Sequence, residues 1–217
     1  KVDTVNKHLY VSPTDGGAPI VAPVVAQKSV TNITHQGADV LIDVNPGFAP
    51  TTLSFEYGTD ATFATTTTAT VVPGLVDGGA PTTASVKLTG LTAATAYSFR
   101  IIGVNESGRT VSATGSFTTL PPPVTAPVAR AADATNITAY SATLNGVVQA
   151  GNATATVSFM YGTDPEFKVN TSNVAASLFQ FSGNSFNDVN LNVSFLDGGK
   201  KYYYKVVAVN STGTTHS

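Results

Sequence analysis

The sequence predicts an all-β protein, two tandem copies of one sandwich unit, and three observations carry that expectation. The first is an internal repeat, sought before anything else because a fixed period sets the architecture. Thr31-Asn32-Ile33-Thr34 returns as Thr135-Asn136-Ile137-Thr138, and Phe55-Glu56-Tyr57-Gly58-Thr59-Asp60 returns as Phe159-Met160-Tyr161-Gly162-Thr163-Asp164, both at an offset of 104. Further on, Leu91 and Tyr97-Ser98-Phe99 match Leu196 and Tyr202-Tyr203-Tyr204, while Val104-Asn105-Glu106-Ser107-Gly108 matches Val209-Asn210-Ser211-Thr212-Gly213, now at an offset of 105. The second is strand-like alternation: Val40, Ile42 and Val44 on one face, then Leu53, Phe55 and Tyr57, then the run Ser98–Val104. Turn signals such as Asp77-Gly78-Gly79 and Asn105-Glu106-Ser107-Gly108 separate them. The third is composition. Charged residues are 11% of 217, well under the usual quarter, and Thr with Ser fills roughly a quarter of the chain, as suits pleated surfaces.

Several short strands at regular spacing, punctuated by turns, indicate a β-sandwich. The stretch Leu91-Thr92-Ala93-Ala94-Thr95-Ala96-Tyr97-Ser98-Phe99-Arg100, running into Val104-Asn105 and Gly108, resembles the E-to-F region of a fibronectin type III domain. The Phe-x-Tyr-Gly-Thr-Asp segment looks like strand C of variants found in microbial surface proteins, and the lack of Trp fits those variants better than animal ones. The resemblance, spanning residues 24 to 217, implies a corner at Tyr97 and Tyr202, where the hydroxyl engages backbone and the ring packs inward. It speaks to fold; this fold hosts many unrelated roles.

The expected organisation is an extended N-terminal segment 1–23, a sandwich at 24–120, a Pro-rich linker at 121–127 and a second sandwich at 128–217. The frame is offset. Copy one closes on Thr110–Thr119, read as its last strand, G; in copy two Ser217 corresponds to Ser112, leaving most of that strand without a counterpart. Pro19–Val24 matches the linker Pro123–Val128, so the residues before it occupy the place of a preceding G strand. There Leu9 and Val11 alternate with His8, Tyr10 and Ser12, as a half-buried strand would.

Two explanations compete. In one, the sequence is a piece of a larger cell-surface adhesin, or spacer modules of a secreted polysaccharide-degrading enzyme. In the other, each subunit lends its first strand to the second sandwich of an identical neighbour, head-to-tail, in a filament or pilus-like fibre. The donor side chains would be Val5, Leu9 and Val11, and the acceptor edge Tyr202, Tyr204 and Val206. An extracellular or cell-surface location is expected on either reading, and cell-surface or carbohydrate partners remain open.

Chemistry is sparse. With no Cys there is no thiolate chemistry or disulfide. His8, His35 and His216 lack metal-ligand spacing, and no Gly-x-Ser-x-Gly elbow occurs. No catalytic site, metal or cofactor is expected. A net charge of -2 without a Lys/Arg cluster gives no nucleic-acid footprint, and no apolar run spans a bilayer. Asp15, Asp77 and Asp197 each precede two glycines, a turn signature before a calcium one. Asn-x-Ser/Thr sequons at Asn32, Asn105, Asn136, Asn152, Asn170, Asn192 and Asn210 are candidate glycosylation sites, with Asn32 and Asn136 equally readable as turn residues. Phe179, Phe181 and Phe186 read as strand packing, with an interface or loop lid as the alternative, and Tyr203 as an outward ring.

Overall fold

The computed structural model describes residues 18–217, with the backbone alone for 173–179. The donor residues Val5, Leu9 and Val11, together with His8 and Asp15, lie outside the described residues. The chain divides between Pro122 and Pro123 into two compact units, and every regular element among the described residues is a strand.

Unit one contains β1 (Val24–Thr31), β2 (Gly37–Asn45), β3 (Thr51–Gly58), β4 (Thr67–Ala69), β5 (Val71–Val72), β6 (Leu75–Val76), β7 (Thr82–Thr89), β8 (Ala96–Asn105), β9 (Gly108–Val111) and β10 (Gly115–Thr118). One sheet runs β1-β2-β7-β5; the other runs β10-β8-β3-β4, with β6 on β3 and β9 on β8. All pairings are antiparallel. The period-two pattern translates directly into the core: Val40, Ile42 and Val44 of β2 are fully buried, and Phe55 stacks on Phe99 at 5.1 Å between ring centroids.

Unit two repeats the plan with β11 (Val128–Thr135), β12 (Ser141–Gln149), β13 (Ala155–Gly162), β14 (Thr171–Phe181), β15 (Phe186–Ser194), β16 (Tyr203–Asn210) and β17 (Gly213–His216). Its sheets run β11-β12-β15 and β14-β13-β16-β17. Its core gathers Leu144, Val148, Val157, Phe159, Val189 and Val206. Gly146 stands where unit one has Ile42. A Cβ there would come within 2.5 Å of Val206 Cγ2, so the smallest residue lets the two sheets meet.

Two local devices recur and explain the repeated motifs. After β3, Asp60 accepts from the N–H groups of Thr62 and Ala64 and from the Thr62 hydroxyl, folding the loop. Asp164 does the same with the N–H groups of Glu166, Lys168 and Val169. Each loop turns Phe63 or Phe167 under a cation from the neighbouring strand, Arg100 at 4.5 Å and Lys205 at 4.6 Å. The second device is the tyrosine corner: Thr92 N–H donates to Tyr97 Oη and Asp197 N–H to Tyr202 Oη, both at 3.0 Å.

Candidate functional site: the open edge of the second unit

Strand G is not one strand. In unit one it is split into β9 and β10, which flank a break at Ser112–Thr114 and pair with opposite halves of β8. Ser112 marks the crossover: its N–H donates to Ile101 O at 2.9 Å, and its hydroxyl accepts from Ile101 N–H at 3.0 Å. Unit two reproduces this up to the same residue. Ser217 N–H donates to Val206 O at 3.0 Å, and Ser217 Oγ accepts from Val206 N–H at 2.9 Å. The first part of the strand pairing with β16 is therefore present as β17, ending at the counterpart of Ser112.

Val206 must be removed from the acceptor edge for the same reason, since Ser217 occupies its main-chain groups. Backbone direction alternates along a strand, so the N–H and C=O groups of Tyr204 and Tyr202 point to the same side as those of Val206. Among the described residues no backbone group pairs with them there. The open edge is Tyr202 to Lys205.

In unit one this place is filled by β10. Its alternate residues Gly115, Phe117 and Thr119 point inward while Ser116 and Thr118 are exposed. Phe117, only 7% exposed, stacks on Tyr97 at 5.7 Å and lies 6.2 Å from Phe99. Thr119 then ties the strand to the loop before β8: its N–H donates to Thr95 O, and its hydroxyl donates to Thr92 O and accepts from Thr95 N–H.

In unit two the same place is a groove of about 230 Å³. Its apolar lining includes Ile137, Leu144, Tyr161, Leu196, Tyr202 and Tyr204, the repeat counterparts of Ile33, Val40, Tyr57, Leu91, Tyr97 and Phe99. Leu91, Tyr97 and Phe99 are buried; Leu196, Tyr202 and Tyr204 are half-buried. Tyr204 compensates part of the loss by reaching across to the other sheet. Its hydroxyl donates to Ala132 O, beside the irregular register of β11, and lies 3.2 Å from Asn145 O. Burial raises its pKa above the ordinary phenol value, with the nearby Asp133 charge adding to the effect.

The remaining predicted residues fall elsewhere. Asn105 is buried, its amide donating to Val21 O and Pro46 O and its Oδ1 accepting from Ser107 and Gly108. Asn210 repeats this with Thr125 O and Ala150 O. Both are corrected as glycosylation candidates, because their amide nitrogens are used to hold the incoming linker to the unit that follows. Asn152 is half-buried and donates to Pro123 O. Asn32, Asn136, Asn170 and Asn192 are exposed, the first three with left-handed backbone. Phe181 packs against the core of unit two, and Phe186 lies under the Arg130 guanidinium at 5.1 Å. The side chain of Phe179 lies outside the described residues. Tyr203 carries the Lys201 ammonium at 5.0 Å from its ring. Asp77 Oδ1 accepts from Gly78 N–H, closing a turn. Among the described residues no three His, Cys, Asp or Glu side chains gather as a metal site, and no helix is long and apolar enough to cross a membrane.

The architecture is that of two successive fibronectin type III-like sandwiches. No protein-family model matches the chain and no curated protein matches it. Solved structures do. The sensor domain of the anti-sigma factor RsgI4 of Pseudobacteroides cellulosolvens matches with a TM-score of 0.38 at 18% identity, over 48% of this chain and all of that one. The FN1-FN3 domains of chicken CNTN1 match with a TM-score of 0.37 at 18% identity, over 90% of this chain and 64% of that one.

Proposed function

We propose that the second unit is a strand acceptor, and that copies of this chain join head-to-tail as an extracellular filament or pilus-like fibre. The segment around residues 5–12 of one copy would lie antiparallel on the open edge Tyr202 to Lys205 of the next. One observation carries this reading: the groove of unit two is the core of unit one with β10 taken away, down to the tyrosine corner and the Ser217 crossover. An edge with free N–H and C=O groups beside an apolar groove is a template for a strand. Strand addition of this kind draws affinity from main-chain bonds and specificity from alternate side chains. Leu9 and Val11 are the side chains assigned to the groove. Exposed Asn32, Asn136, Asn170 and Asn192 would carry glycans in a host that modifies exported proteins, supplying hydration that few charges provide.

The test is assembly of the 217-residue chain with and without residues 1–13, followed by sedimentation and electron microscopy. Loss of fibres with unit one still folded supports the reading; unchanged fibres sink it. Leu9→Asp with Val11→Asp should block assembly while Tyr10→Asp should not; the reverse pattern turns the inserted strand over. A native chain heavier than the 22.2 kDa of this sequence, with extra residues that supply the β10 counterpart in cis, would overturn exchange between copies.

A further inference from the structure

The rim of the open groove differs from its twin in a way that strand capture does not require. Phe195 occupies the position of Gly90 in unit one, and both residues have left-handed backbone, φ 60° and 71°. That region is open to glycine and disfavours a side chain as bulky as Phe. The residue is 98% exposed, so packing against the described residues of its unit does not offset the strain. Two further apolar side chains stand near it. Tyr140, 66% exposed, replaces Gln36, and its carbonyl accepts from Leu196 N–H. Ile137, 71% exposed, replaces the half-buried Ile33 and itself lines the groove. Isolated exposed apolar residues are ordinary, but three of them on two hydrogen-bonded loops beside a groove point to a contact surface.

The opposite pole of unit one supplies a matching surface. Val21 N–H donates to Gly47 O, and the Asn105 amide donates to Val21 O, so the entering chain is fixed to its unit from Val21 onward. Around that anchor Ile20, Val21 and Phe48 are all about half exposed. When a strand ending near residue 12 is seated in the groove, only residues 13–20 separate it from Val21. Eight residues reach at most about 28 Å. The entry pole of the donor copy is thereby confined to within about 28 Å of the groove end of the acceptor, close enough for the two apolar sets to meet.

We infer that Phe195, Tyr140 and Ile137 form a second, pole-to-pole contact with a second copy of this chain, covering the Ile20 and Phe48 end of its first unit. The inference rests on strand exchange between copies. Its role is to fix the angle between successive copies, which pairing of a single strand does not set.

The experiment separates the two contacts. Phe195→Gly with Tyr140→Gln installs the residues of unit one and relieves the left-handed strain, so the monomer should be at least as stable as the unsubstituted chain. A labelled peptide of residues 1–15 is titrated into the chain lacking residues 1–13, with and without the two substitutions, and read by fluorescence anisotropy. Full-length self-association is measured by sedimentation. The expected result is peptide affinity changed by less than about threefold and self-association weakened at least tenfold, a loss of more than about 1.4 kcal/mol. Unchanged self-association with the peptide still bound overturns the pole contact and leaves strand exchange standing. A peptide that fails to bind overturns strand exchange, and the pole contact with it.

Discussion

The two units part company at one edge. Along β8, both halves of strand G are in place; along β16, only the first is. Several devices upstream of that point are shared: the Asp60 and Asp164 loops, the cation-covered Phe63 and Phe167, the tyrosine corners, and the Asn105 and Asn210 anchors. What differs is the fate of three inward side chains. In unit one Leu91, Tyr97 and Phe99 are buried, the two rings against Phe117; in unit two Leu196, Tyr202 and Tyr204 line a groove. The same three positions therefore meet two different surroundings in one fold.

The comparison can be broken most severely by making unit one resemble unit two. Phe117→Ala would open the groove under Tyr97 and Phe99. Removing a buried aromatic side chain of this kind costs about 3–5 kcal/mol. The expected outcome is a large drop in the melting transition of unit one with that of unit two unmoved, read by calorimetry. Equal shifts in both transitions would mean that the units do not unfold separately. The converse is to make unit two resemble unit one, by continuing the chain after Ser217 with Ala-Thr-Gly-Ser-Phe-Thr-Thr, the sequence of residues 113–119. Burying one Phe ring contributes about 2–3 kcal/mol, and with the main-chain hydrogen bonds along the edge it works against the cost of ordering the added residues, so a rise in the melting transition of unit two is expected. Loss of peptide capture and of fibres should accompany it.

Much of this was legible in the sequence because duplication aligns functionally unequal residues. The repeat gave the unit, and Tyr202 and Tyr204 follow from their match to Tyr97 and Phe99. Val206 was misplaced because a sequence reading treats strand G as continuous. Only the geometry shows that Ser112 and Ser217 end one half-strand by bonding both main-chain groups of Ile101 and Val206. Asn105 and Asn210 satisfied the glycosylation pattern, yet the amide that would carry a sugar is turned inward to the linker. The Asn-x-Ser pattern says nothing of burial. Phe195 was missed, although the signal was present: a Phe aligned with Gly90 is a bulky residue at a glycine position.

A smaller effect is expected at Tyr204, where unit two carries a hydroxyl that Phe99 lacks. Tyr204→Phe should cost about 1 kcal/mol, the usual net value of a hydrogen bond, read from urea midpoints. It should also remove an alkaline dependence. The folded-state pKa lies above the unfolded value, so the neutral phenol favours the fold, fully below about pH 10. That contribution is lost as pH rises through the folded pKa. Unsubstituted unit two should weaken above pH 10 more steeply than the Tyr204→Phe variant, with unit one as the internal control. A variant with the same alkaline slope would remove Tyr204 as the cause.

The smallest effect concerns a feature on which the units should agree. Asp60 and Asp164 are both held below the ordinary carboxylate value by hydrogen bonds, Asp60 chiefly by the Thr62 hydroxyl and backbone and Asp164 by the Glu166, Val169 and Lys168 backbone. A depressed pKa gives stability that is present above the unfolded value near 3.8 and is lost as pH falls through the folded value. Asp60→Asn and Asp164→Asn should each weaken their own unit at pH 7, and the gap from the unsubstituted chain should narrow on acidification below about pH 4. Both loops are exposed, so the shifts in urea midpoint should be small and alike. Matching acid profiles would confine the difference between the units to the β16 edge. Divergent profiles would show that the units differ at this loop as well, where the Thr62 hydroxyl on Asp60 has no counterpart among the partners of Asp164.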